Sequence, residues 1–111
     1  MEGVSGSPAL ALSRFGRRSR NFELLTPLIA GGLAHYFRDN DPEDPGEGPW
    51  HFVEIVDPGT SYLSVSLVPS TIGDRGLNLE AVALTASREV VRVSRSVTAG
   101  HFQRLELLFS I

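Results

Sequence analysis

The sequence predicts an all-β domain made of two tandem four-stranded units, and three observations carry that prediction. Residues recur at a constant spacing, short alternating runs are cut by turn formers, and no helical reading survives in both copies. The recurrence is the strongest of these. Ser13, Gly16, Arg18, Asn21 and Glu23 return 57 positions later as Ser70, Gly73, Arg75, Asn78 and Glu80, with Phe15 matching Ile72 and Phe22 matching Leu79. At the same spacing Leu33, Ala34, Tyr36 and Arg38 meet Val90, Val91, Val93 and Arg95, and Leu10 and Ala11 meet Leu67 and Val68. Such self-similarity marks a repeated structural unit. The spacing shortens near the end of the unit. His51-Phe52 lines up with His101-Phe102 if copy 1 carries seven extra residues, Asp41 to Glu47, all of them turn formers and acids.

Taken in order, copy 1 (about residues 8–57) predicts strands over Ala9–Phe15, Phe22–Leu28, Leu33–Asp39 and His51–Asp57. Copy 2 (about 61–111) predicts Tyr62–Ser70, Leu79–Leu84, Val90–Ser96 and Gln103–Phe109. Period-two alternation is plain in Tyr62 to Val68 and in Val90 to Ser94. Gly16, Gly73, Gly31-Gly32, Asp57-Pro58-Gly59 and Gly100 supply the turns. Leu77–Arg92 has good helix propensity, but its copy-1 counterpart contains Pro27 and Gly31-Gly32, so a helix there would break the repeat.

The chain of 111 residues is one domain's worth. Its formal net charge of −3 is too small to imply a polyanionic partner. With no cysteine it has neither disulfides nor a thiolate metal site. Residues 1–20 do not read as a secretory signal, and no apolar run approaches the roughly 20 residues that span a bilayer. The expectation is a soluble chain without a membrane role, its compartment undetermined.

Ser13-x-Phe15-Gly16, Asn21-Phe22-Glu23, Gly32-Leu33-Ala34-His35-Tyr36-Phe37-Arg38-Asp39 and Pro49-Trp50-His51 together resemble the repeats of lectin-like multi-bladed β-propellers from bacteria and fungi. The resemblance implies propeller blades, a non-enzymatic binding role and a glycan ligand. Copy 1 fits apart from Arg20, where such repeats carry glycine. Copy 2 has Arg92-Val93-Ser94 in place of His35-Tyr36-Phe37, and Gly100 in place of the tryptophan. Closed propellers have about four to eight blades, so two cannot close a ring. Three readings stay open: a homo-oligomer that completes the ring, a segment of a longer propeller (including one within a larger enzyme), or an eight-stranded sandwich.

Candidate site residues come from copy 1. Tyr36, Phe37, Arg38, Asp39, Trp50 and His51 combine flat apolar rings, suited to the C–H face of a sugar, with donors and acceptors for its hydroxyls. The competing reading places these rings in the core between units, and a scaffold for protein contacts is the alternative function. If Glu23 faces Arg38 and Glu80 faces Arg95, each unit gains a cross-strand ion pair. The acidic run from Asp39 fails as a calcium loop, having Asp44 at its sixth position and Trp50 at its twelfth. Arg14, Arg17, Arg18 and Arg20 lack interleaved aromatics, so no nucleic-acid partner is expected. No catalytic motif is present, and neither metal nor cofactor is expected.

Overall fold

The computed structural model describes residues 3, 6–12, 22–38, 50–69, 79–95 and 101–111. They form β1 (Ala9–Leu12), β2 (Phe22–Pro27), β3 (Leu33–Arg38), β4 (His51–Val56), β5 (Tyr62–Pro69), β6 (Leu79–Thr85), β7 (Glu89–Arg95) and β8 (Gln103–Ser110). No helix occurs among the described residues. The expected strand ends at Phe15, Asp39, Ser70 and Ser96 lie outside them, as do Gly16, Gly73, Asn21, Asn78 and Gly100. The strands make two antiparallel meanders, β1-β2-β3-β4 and β5-β6-β7-β8, here sheet 1 and sheet 2. A parallel bridge from Ser7 to Ser64 ties the residues before β1 to β5.

The repeat is reproduced in the register. Leu10 lies opposite Leu24 as Leu67 lies opposite Ala81, and Phe22 opposite Arg38 as Leu79 opposite Arg95. Even a β-bulge recurs. Val53 is skipped between Glu54 and Phe52 in β4, and Leu105 between Glu106 and Arg104 in β8. One expectation needs correction here. Phe37 pairs with His51 but its counterpart Ser94 pairs with Gln103, so the spacing in the last strand is 52 (103 − 51). Copy 1 therefore carries five extra residues (57 − 52) rather than seven, and the counterpart of Trp50 is Phe102 rather than Gly100.

Turn chemistry explains why residues 79–92 fold as a hairpin. In the β2–β3 turn Gly31 and Gly32 take φ of 107° and 82°, and Arg88, the counterpart of Gly31, takes φ of 66°. The Thr85 hydroxyl accepts the Glu89 amide at 3.0 Å and the Thr85 carbonyl accepts the Arg88 amide at 3.0 Å. Together these bonds hold the reversal against local helix propensity. The Gly32 amide donates to the Thr60 carbonyl at 2.7 Å, fastening the first hairpin to the link between sheets. A Cβ on Gly32 would stand 2.6 Å from Ile55 Cγ2 and 2.8 Å from the Val56 carbonyl oxygen. Left-handed backbone alone costs an L-residue about 1–2 kcal/mol. Gly32→Ala is therefore expected to lose about 2 kcal/mol or more in urea unfolding.

Each sheet has a front face and a back face, because successive side chains alternate. Leu10, Leu24, Tyr36 and Arg38 lie on the front of sheet 1, and Leu67, Ala81, Val93 and Arg95 on the front of sheet 2. The backs carry Glu23, Leu25 and His35 in sheet 1, and Glu80, Val82 and Arg92 in sheet 2. The core joins Leu25, Leu33 and Val56 to Leu67, Leu79, Ala81, Val91 and Val93. The back of sheet 1 thus packs on the front of sheet 2. Each fully buried Leu or Val contributes roughly 1.5–3 kcal/mol.

This packing overturns the expected ion pairs. Arg38 and Arg95 lie opposite Phe22 and Leu79, one residue away from the glutamates and so on the other face. Glu80 instead bonds Arg92 of its own sheet, at 3.1 and 3.3 Å. Glu23 bonds Arg95 of the other sheet at 3.1 Å.

Candidate functional site

Strand alternation divides the expected aromatic group between two faces. Phe37 and His51 are register partners on the back of sheet 1, their rings stacked at 4.9 Å and 28°. Tyr36 lies on the front and meets Phe52 edge-on at 5.5 Å. Arg38 shares the front with Tyr36, and its Nε is buried without a hydrogen bond among the described residues. Trp50, directly before β4, is 41% exposed. Asp39 lies outside the described residues, as do the acidic loop and Arg14, Arg17, Arg18 and Arg20. The structure therefore brings together Phe37 with His51, and Tyr36 with Phe52, on opposite faces of sheet 1. Phe52 was missed in the sequence, although its alternation with His51 places it opposite Tyr36.

A buried polar network adjoins the Phe37–His51 pair and was also not foreseen. Glu23 lies opposite Phe37, and its Oε1 accepts from His35 Nε2 at 2.7 Å and from Arg95 Nη1 at 3.1 Å. Both Glu23 and His35 are wholly buried. The edge of the Phe102 ring packs on His35 at 4.9 Å and 90°. A carboxylate–imidazole pair could serve acid–base chemistry in a cleft, but this one is sealed inside the packing of two sheets. Its evident work is to hold those sheets in register, since a desolvated charge is stable only when paired.

The link between sheets carries a second network. Asp57, at φ of 48°, accepts from the Tyr62 hydroxyl at 2.6 Å and from Arg104 Nη1 at 3.3 Å. Burial alone would raise the Asp57 carboxyl. Hydrogen bonds from Tyr62, Thr60 and Arg104, with the charge of Arg104, outweigh it and hold the group below its ordinary value. Burial, then the bond to Asp57, pushes the Tyr62 phenol above its usual range.

Among the described residues no three His, Asp or Glu side chains are grouped to hold a metal ion, and no helix is long and apolar enough to cross a membrane. Fold and geometry together define an all-β protein of two blade-like repeats, with one aromatic pair at a rim and a sealed ionic joint between sheets. Comparison with protein-family models, curated proteins and solved structures found no match.

Proposed function

We propose that this chain is a non-enzymatic binding module of the β-propeller type, and that its ligand is a carbohydrate. The observation that carries this reading is the Phe37–His51 stack: a half-buried ring lies on an exposed imidazole at the outer edge of sheet 1. Such a platform suits the C–H face of a pyranose, while the imidazole offers a bond to a hydroxyl. Arg95, drawn to this end of the interface by Glu23, is 15% exposed and adds a charged donor. Copy 2 has Ser94 and Gln103 in the corresponding places, so one platform per chain is expected.

A glycan array probed with the folded chain tests this. Binding is expected in the native chain, with affinity about tenfold weaker in His51→Ala, in line with the roughly 1.4 kcal/mol that a tenfold change represents. An array on which the folded native chain binds nothing would sink the proposal. The second reading, a scaffold for protein contacts, is favoured by the apolar end of β8, where Leu107, Leu108, Phe109 and Ile111 are all exposed.

A further inference from the structure

The packing between the two sheets is a template that the chain leaves half used. Because the back of sheet 1 meets the front of sheet 2, the front of sheet 1 and the back of sheet 2 remain outward. They are repeat counterparts of the two surfaces already joined. Burial follows that logic at three counterpart pairs. Leu67 is 7% exposed and its counterpart Leu10 57%; Phe102 is 3% exposed and its counterpart Trp50 41%. On the backs, Leu25 is 0% exposed and its counterpart Val82 46%. The front of sheet 1 is open at Leu10, Trp50 and Phe52, while Leu24, Thr26 and Ala34 on the same face are already buried.

The charges repeat the same scheme. Inside the chain, Glu23 on a back face receives a bond from His35 beside it and from Arg95 on the front that covers it. Outside, Glu80 receives bonds from Arg92 beside it, at the place of His35, and from Ser94. Among the described residues no front covers Glu80. The counterpart of Arg95 is Arg38, whose buried Nε has no partner among the described residues. One face offers a guanidinium whose Nε has no partner among the described residues, and the other a glutamate in the matching position.

We infer that two copies of this chain associate head to tail, the front of sheet 1 in one copy seating on the back of sheet 2 in the next. Arg38 meets Glu80 as Arg95 meets Glu23, and Trp50 covers Arg92 as Phe102 covers His35. The aromatic ring over a guanidinium is a favourable cation–π contact. The contact is heterologous, so it closes into a ring or runs on as a filament according to the rotation at each step. The inference shares the blade-like repeat with the proposed function but does not rest on carbohydrate binding, and the Phe37–His51 platform lies on a different surface.

The chain contains no cysteine, which makes the contact directly testable. Light scattering on the native chain is expected to give a multiple of 12.1 kDa. Arg38 and Glu80 lie on outward faces that point away from each other, so one chain cannot bridge them. With a bismaleimide long enough to span an arginine–glutamate pair, an R38C/E80C variant is expected to form covalent multimers on a denaturing gel. R38C and E80C alone are expected to form none. Trp50 is the only tryptophan, and its emission is expected to shift to the red on dilution as its cover is lost. A native chain that stays at 12.1 kDa across the accessible concentration range overturns the inference. So does an oligomer in which the double variant links no better than either single one. A glycan array that fails while the cross-link forms would refute only the carbohydrate reading.

Discussion

Glu23→Ala is expected to lose about 3–5 kcal/mol of folding stability, a large part of what a domain of this size has available. The charge removed is wholly buried and is bonded by His35 and Arg95. Without it, His35 keeps a buried ring nitrogen with nothing to bond. The Arg95 guanidinium, only 15% exposed, loses its ion pair with that carboxylate. Stranding a charge in this way costs more than the intact pair contributes, because desolvation is no longer offset. Arg95→Ala removes one donor to Glu23 while the bond from His35 remains, and is expected to cost less. The double variant Glu23→Ala, Arg95→Ala strands neither charge, so its loss should fall well short of the sum of the two single losses. Urea unfolding of the three variants reads this directly. Losses that simply add would show that the two residues do not act as a pair.

That joint also marks where the sequence stops being legible. The spacing of 57 foretold two equivalent units of four strands each, and the register repeats between them, with Phe22 opposite Arg38 and Leu79 opposite Arg95. Turn chemistry at Gly31-Gly32 was legible for the same reason. The partner of Glu23 was not. Counting outward from the β2–β3 turn places Phe37, not Arg38, opposite Glu23, and a one-residue slip moves a side chain to the other face. The pairing of faces was further out of reach, since Leu24 and Leu25 are both apolar and alternation does not say which face of a unit meets its neighbour. The matching His-Phe dipeptides hid the true counterpart of Trp50, because they suggested a spacing two residues too short. The aromatic group was correctly assigned to β3 and to the entry of β4, but its division between faces depended on that same register.

Tyr62→Ala is the second substitution expected to have a large effect, about 3–5 kcal/mol, the usual cost of deleting a buried aromatic ring. Among the described residues Tyr62 is the largest wholly buried side chain, and it opens β5 directly after the link between sheets. Its ring belongs to the core that joins them, while its hydroxyl holds Asp57 at 2.6 Å. Tyr62→Phe separates the two contributions. It keeps the ring and removes one bond to a charged acceptor, and is expected to cost about 1.5 kcal/mol. Thr60 and Arg104 remain as partners of Asp57, and Arg104 reaches both Asp57 and Thr60 from β8, so the link stays tied to sheet 2. Acid gives an independent check. The folded Asp57 carboxyl titrates below its ordinary value of 3.8, so the folded chain binds this proton less readily than the unfolded chain does. The stability Asp57 supplies is complete above that ordinary value and is lost as pH falls through the lowered one. Removing the Tyr62 hydroxyl takes away one of the bonds that lower the carboxyl. The gap in stability between native chain and Tyr62→Phe should therefore be widest near neutral pH and narrow as Asp57 protonates. A gap that stays constant from neutral pH down to acid would mean that the hydroxyl does not act through Asp57.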